Sequence, residues 1–235
     1  NYELYVNGGL RGSFGGLSDT SATVMLDNGS YDWHVVAHDS AGNENVSDVW
    51  VVNVDNINPT EPSLVSPGDG ENFAGSSVLL EWSEVSDSYF ENYELYVDGG
   101  LENSLSSISE NSLTVSGLSD GDHLWYVVAN DSVGLENQSS EWGFTVDTVA
   151  PSVSVGSPVS GENLSSDNVN VQVSASDSST RVDNFRFYVD GSLVGVVTDN
   201  SVDNYNFTGL GEGEHVLVVE AVDQVGNVEN DFVSV

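Results

Sequence analysis

Four histidines, 38 carboxylates and no cysteine set the limits of the chemistry this chain could do. A histidine beside an acid can move protons, and clustered oxygens can hold a hard cation. His34 and His38 are spaced i, i+4. On a strand they share a face about 13 Å apart, too far for one metal. His123 and His215 lie 92 residues apart, and Tyr31 stands 92 before His123. No His/Asp/Ser constellation recurs. Carboxylates are so plentiful that a pair of them says nothing about glycosidase chemistry. The expectation is that this chain is not an enzyme.

The acids have a better claim as ligands. Calcium takes several oxygen ligands in flexible geometry. Asp55, Asn56 and Asn58 crowd one short segment, and Asp147 marks a second. These four are the candidate Ca²⁺ ligands. Each Asp of the D-x-x-G turns at Asp39, Asp131 and Asp223 has another reading, in which its carboxylate caps the turn and the glycine supplies a positive φ. Six N-glycosylation sequons occur, at Asn28, Asn45, Asn130, Asn137, Asn163 and Asn206, while Asn58-Pro-Thr is excluded by its proline. Six is close to chance for this composition, so position carries the argument. Asn45 and Asn137 recur 92 apart just after a D-x-x-G turn, and are the favoured acceptors.

Charge narrows the classes further. Against 38 acids stand 3 arginines and no lysine, a net charge of −35. Nucleic-acid binding needs a basic footprint, and anionic lipid attracts basic residues, so neither is expected. Such self-repulsion destabilises a compact fold unless cations screen it. Two readings follow, adaptation to high salt or a surface loaded with divalent cations, and they are compatible. No apolar run is long enough to span a membrane as a helix.

The elements that position these residues repeat. Asn1-Tyr-Glu-Leu-Tyr-Val-Asn-Gly-Gly-Leu10 returns as Asn92-Tyr-Glu-Leu-Tyr-Val-Asp-Gly-Gly-Leu101, and again as Asn184-Phe-Arg-Phe-Tyr-Val-Asp-Gly-Ser-Leu193. A period of about 92 residues fits one small domain rather than a solenoid unit. The middle repeat reads as seven strands: 62–66, 77–83, 92–98, 105–108, 112–115, 123–129 and 141–146. Asp98-Gly99 is a hairpin signal, and helical periodicity is absent. That pattern predicts an all-β, seven-stranded sandwich.

The middle repeat resembles fibronectin type III and bacterial or archaeal immunoglobulin-like domains. Trp82 and the Tyr93/Tyr96 strand match core positions of that family. Leu118-Ser-Asp-Gly-Asp-His-Leu-Trp125 resembles its approach to the sixth strand, and places His123 at the tyrosine corner. Asp39-Ser-Ala-Gly-Asn43, Asp131-Ser-Val-Gly-Leu135 and Asp223-Gln-Val-Gly-Asn227 match a turn common in microbial surface arrays. Asp147-Thr-Val-Ala-Pro151 looks like a junction between such domains, and Val54-Asp-Asn-Ile-Asn-Pro59 faintly resembles a cadherin junction without its second Asp. The expected organisation is a partial repeat at 1–57 lacking its first two strands, a complete repeat at 58–148, and a repeat at 149–235 whose last strand is slightly short. The open first repeat is completed either by further chain or by strands donated from a neighbour. Trp33 and Trp125 are expected in the core. Trp50 and Trp142 are expected there too, with a neighbour contact or carbohydrate platform as the alternative.

The resemblance implies an extracellular or cell-surface protein that projects, polymerises or sticks. A filament, stalk or surface layer in a salt-adapted microbe is the leading expectation. An adhesin spacer and a non-catalytic module of a secreted enzyme are the alternatives. The expected partners are copies of itself or neighbouring surface proteins, with no nucleic acid and no membrane insertion.

Overall fold

The computed structural model describes residues 1–16, 18–198 and 203–235. Among the described residues every regular element is a strand. Alternating apolar positions explain this: along Phe90–Val97 the buried residues are Tyr93, Leu95 and Val97, each two apart, so one face is apolar and the other is not.

The middle repeat is a two-sheet sandwich. One sheet runs in the order Gly100–Leu105, Phe90–Val97, Gly121–Asp131, Trp142–Val146 and Glu71–Phe73, with Glu136–Gln138 also paired to Gly121–Asp131. The other is Ser112–Ser116, Ser77–Trp82 and Leu64–Ser66. Trp82, Tyr93, Leu95, Trp125, Val127 and Phe144 fill the space between them. The third repeat follows the same plan, with Ser152–Ser157, Val169–Ser176 and Asn204–Phe207 facing Ser192–Val197, Val182–Val189, Val216–Asp223 and Val228–Ser234.

Two strands differ from the sequence reading and one short strand is added to it. The first splits at Pro67-Gly-Asp-Gly70: Leu64–Ser66 stays antiparallel to Ser77–Trp82, while Glu71–Phe73 crosses to run parallel to Trp142–Val146. The strand expected at 105–108 lies instead at Gly100–Leu105. Its hairpin turn is only two residues, Asp98 (φ 51°) and Gly99 (φ 74°), so the return strand starts at once. The last strand lies at Trp142–Val146 as expected, and the unexpected short strand Glu136–Gln138 precedes it, ending at Ser139, whose hydroxyl accepts from Val127 N (3.0 Å).

The first repeat shows one sheet, built on Gly29–His38 with Tyr2–Val6, Gly9–Phe14, Glu44–Val46 and Trp50–Val54. Residues 20–26 form no strand. Their counterpart Ser112–Ser116 is held by Ser77–Trp82, and among the described residues nothing supplies that partner here. The consequence is an open cleft of about 640 Å³ lined by Leu4, Val6, Val24, Leu26, Trp33 and Val35. Trp125 is fully buried and Trp142 packs on the core, whereas Trp33 is only half-buried and Trp50 is 65% exposed. The same residues are core or surface according to whether a second sheet covers them.

Candidate cation sites at the domain junctions

The two linkers are held at both ends by side chains, at an equivalent position upstream and at different positions downstream. On the upstream side, Asn28 Oδ1 accepts from Asn56 N (2.6 Å), and 92 residues on Asp120 Oδ1 accepts from Thr148 N (2.9 Å). On the downstream side, Asn58 Nδ2 donates to Glu136 O (2.6 Å) and Asn137 Nδ2 to Pro59 O (3.3 Å). At the second linker Asn227 Nδ2 donates to Asp147 O (3.0 Å) and Val149 O (3.3 Å).

The structure separates the four candidate ligands. Asp55 gathers with Asp87 and Asp131, each presenting an oxygen within 4.8 Å of the others. Asp147 gathers in the same way with Asp177 and Asp223. Asn58 donates its amide nitrogen to Glu136 O as a linker latch, and Asn56 donates its backbone N–H to Asn28 Oδ1. Asp131 and Asp223 also cap their turns. Asp131 Oδ1 accepts from Val133 N and Leu135 N (2.9 and 2.8 Å), and Asp223 Oδ1 accepts from Val225, Gly226 and Asn227. The turn-capping reading of the D-x-x-G aspartate holds at both positions, while the second oxygen differs: Asp223 Oδ2 accepts from Asn227 Nδ2 and Asp131 Oδ2 has no partner. Asp87 and Asp177 carried no signal in the sequence. They sit in loops without a motif and reach the junction only because the sandwich stacks its loop ends there.

The histidines are structural. His123 Nε2 bonds Ser119 O (2.8 Å), His215 Nε2 bonds Gly211 O (3.1 Å), and Tyr31 OH donates to Asp27 O (3.0 Å), each four residues back. His123 Nδ1 and His215 Nδ1 meet Asp98 and Asp190 of the hairpin turns at 2.7 and 2.8 Å. Burial opposes charge on His123, but Ser119 O and Asp98 outweigh it and hold its pKa above the usual value. Asp190 and Gly211 O likewise raise His215. A raised folded pKa means stability that is complete below about pH 6.5, the unfolded value, and is lost as pH rises through the folded one. Melting temperature is therefore expected to fall as pH rises from neutral. His123→Ala should cost about 2–3 kcal/mol at mildly acidic pH, measured by denaturant unfolding, and flatten the slope for the middle repeat. An unchanged slope would assign the pH effect elsewhere. His34 stacks on Tyr5 (5.2 Å), and His38 lies between Glu3 and Glu44 at 3.2 and 3.3 Å.

The sequons also divide. Asn45, Asn163 and Asn206 are exposed, with no side-chain hydrogen bond described at the first two. Asn28, Asn130 and Asn137 donate Nδ2, the atom a glycan would take, to Asp55, Asn92 and Pro59.

Residues 151–219 match the family described as Bacterial Ig domain. Halomucin of Haloquadratum walsbyi is 34% identical over 110 residues, 46% of this chain, and the chain spans about 1% of that protein's length. The fibronectin(III)-like modules of Clostridium thermocellum CbhA align over 74% of this chain and 92% of theirs, at 24% identity and a TM-score of 0.45. A tetra-tandem repeat from the extending region of a large adhesion protein aligns over 100% of this chain and 66% of its own, at 18% identity and a TM-score of 0.38. Domains of this kind are typically non-catalytic modules, and no catalytic family is indicated. The chain is a tandem array of immunoglobulin-like β domains, two of them two-sheet sandwiches, and its third repeat matches the Bacterial Ig domain family over residues 151–219.

Proposed function

We propose that this array is a structural spacer on the outside of a salt-adapted microbe, part of a filament, stalk or surface layer, and not an enzyme. The observation that carries the reading is that each linker is latched at both ends, by Asn28 or its equivalent Asp120 upstream and by the non-equivalent Asn58 and Asn137, or Asn227, downstream. A few linker residues bonded at both ends restrict the swing of one bead against the next, which is what a load-bearing or distance-setting rod requires. The lysine-free acidic surface and the 34% identity to halomucin support the salt-adapted, extracellular setting. Glycans at the exposed Asn45, Asn163 and Asn206 fit the same setting.

Its partners are copies of itself or neighbouring surface proteins. The open face of repeat one takes two strands of the kind that Leu64–Ser66 and Ser77–Trp82 supply to repeat two. Electron cryo-microscopy of native material in high salt tests the reading. A helical or lattice repeat makes this an assembling subunit, with donated strands visible in repeat one. Extended strings whose repeat one is completed by their own chain make it a stalk or adhesin spacer. Beads pointing in uncorrelated directions would overturn the rigid-spacer reading and leave an accessory module.

A further inference from the structure

The two junctions carry equivalent acids but not equivalent donors. In the third repeat, Asn227 Nδ2 donates to Asp223 Oδ2 (2.8 Å). Asn43 does the same for Asp39 Oδ2 (2.6 Å) in the first repeat. The middle repeat has Leu135 at that place, and a leucine has no donor. Asp131 is 1% exposed, and its Oδ2 is buried with no hydrogen-bond partner. Oδ2 of Asp55, in the same trio, is also buried and without a partner. At the second junction Asp147 Oδ2 accepts from Thr180 N and Oγ1, and Asp223 Oδ2 from Asn227, which leaves Asp177 Oδ2 as the one buried oxygen of that trio without a partner, against two in the first. Thr180 comes from a loop two residues longer than its counterpart, eight steps from Asp177 to Phe185 against six from Asp87 to Tyr93.

Burying an ionised carboxylate oxygen without a partner is costly, and two in one trio compound that cost by mutual repulsion. We propose that the first junction holds one Ca²⁺ between Asp55, Asp87 and Asp131, and that the second junction, where amide and hydroxyl donors answer two of the three acids, binds the cation far more weakly. Three carboxylates without nitrogen or sulfur ligands select a hard, oxygen-preferring ion, and irregular loop geometry suits Ca²⁺ better than the strict octahedron of Mg²⁺. The cation ties linker residue Asp55 to two loops of the middle repeat, so calcium stiffens one joint and leaves the other unchanged. The site rests on the geometry of one junction and stands whether the array is a filament, a stalk or an accessory module.

Isothermal titration of the chelator-treated chain with CaCl₂ in molar KCl tests this, because the salt suppresses diffuse binding to surface acids. The wild type should take up one Ca²⁺ in a tight class, with Mg²⁺ at least tenfold weaker. Asp131→Asn keeps an oxygen for the turn amides and should abolish that class. Leu135→Asn, at a half-buried position, restores the donor that the other two repeats have and should weaken binding at least tenfold. Asn227→Leu should raise the stoichiometry of the tight class from one to two. Should Asp131→Asn fail to fold, Leu135→Asn and Asn227→Leu carry the test alone. Binding insensitive to Asp131→Asn and Leu135→Asn would be diffuse surface binding and would overturn the site. Two sites of equal affinity in the wild type would overturn the division between the joints.

Discussion

Lowering KCl from molar to about 10 mM is expected to unfold this chain, or to drop its melting temperature by tens of degrees. The net charge of −35 spread over 13118 Å² leaves about 375 Å² per net charge, roughly one every 19 Å. At about 1 M salt the screening length is ~3 Å and neighbouring charges do not feel each other. At 10 mM it is ~30 Å, longer than the spacing, and each neighbouring pair repels by about 0.1 kcal/mol. Over the roughly hundred such pairs the sum is of order 10 kcal/mol, comparable to the stability of a domain, and only partly offset by repulsion left in the unfolded chain. Internal cations do little to help. The three Arg are outnumbered by 38 acids, and the middle repeat holds 17 acids with no Lys or Arg. Arg186–Glu220, at 3.8 Å, is the one Arg–carboxylate pair among the described residues. Circular dichroism melts across a KCl series would show the effect, and NaCl should act equally if screening is the cause. A melting temperature flat across that range would refute salt dependence and leave the acidity without a stabilising role.

How much of this was legible in the sequence depends on how local the signal is. Asn92–Asp98 alternates within itself, and Asp98-Gly99 names its own turn, so the hairpin could be placed from those residues alone. The corner at His123 was legible because Tyr31 and His215 occupy the same place and a ring tip bonding four residues back is a local contact. The break in the first strand was not, because Glu71–Phe73 leaves its sheet to pair with residues 73 positions away. Two of the three acids in each trio carried a local signal, the linker aspartate and the aspartate of the D-x-x-G turn. Asp55 and Asp147 announce themselves beside prolines at domain boundaries. Asp87 and Asp177 are single acids in unremarkable loops, and only the packing of the sandwich brings them within reach of the linker. Exposure of Trp50 was likewise hidden, since it depends on a second sheet that the described residues of repeat one do not contain.

Trp82→Ala is expected to destabilise the middle repeat by about 4 kcal/mol, raising its unfolded population nearly a thousandfold. Trp82 is 1% exposed and ends the central strand of a three-stranded sheet, flanked by both Ser112–Ser116 and Leu64–Ser66. Its ring meets Tyr93 edge-on at 5.6 Å, and through Tyr93 it supports Phe90 at 4.7 Å. Its indole Nε1 has no acceptor in the structure, so truncation removes packing and leaves no orphaned partner. The cavity opens between two sheets already joined at their register, which gives the surroundings little freedom to collapse. The third repeat has its own core around Phe187, Phe207 and Leu217 and shares none of these contacts. Native-state hydrogen exchange in molar KCl should therefore show protection lost through 64–146 and kept through 152–234. Equal loss in both would mean that the latches couple neighbouring domains into one cooperative unit. A cost below about 1 kcal/mol would mean that the sandwich closes over the missing ring, contrary to the rigidity that a spacer needs.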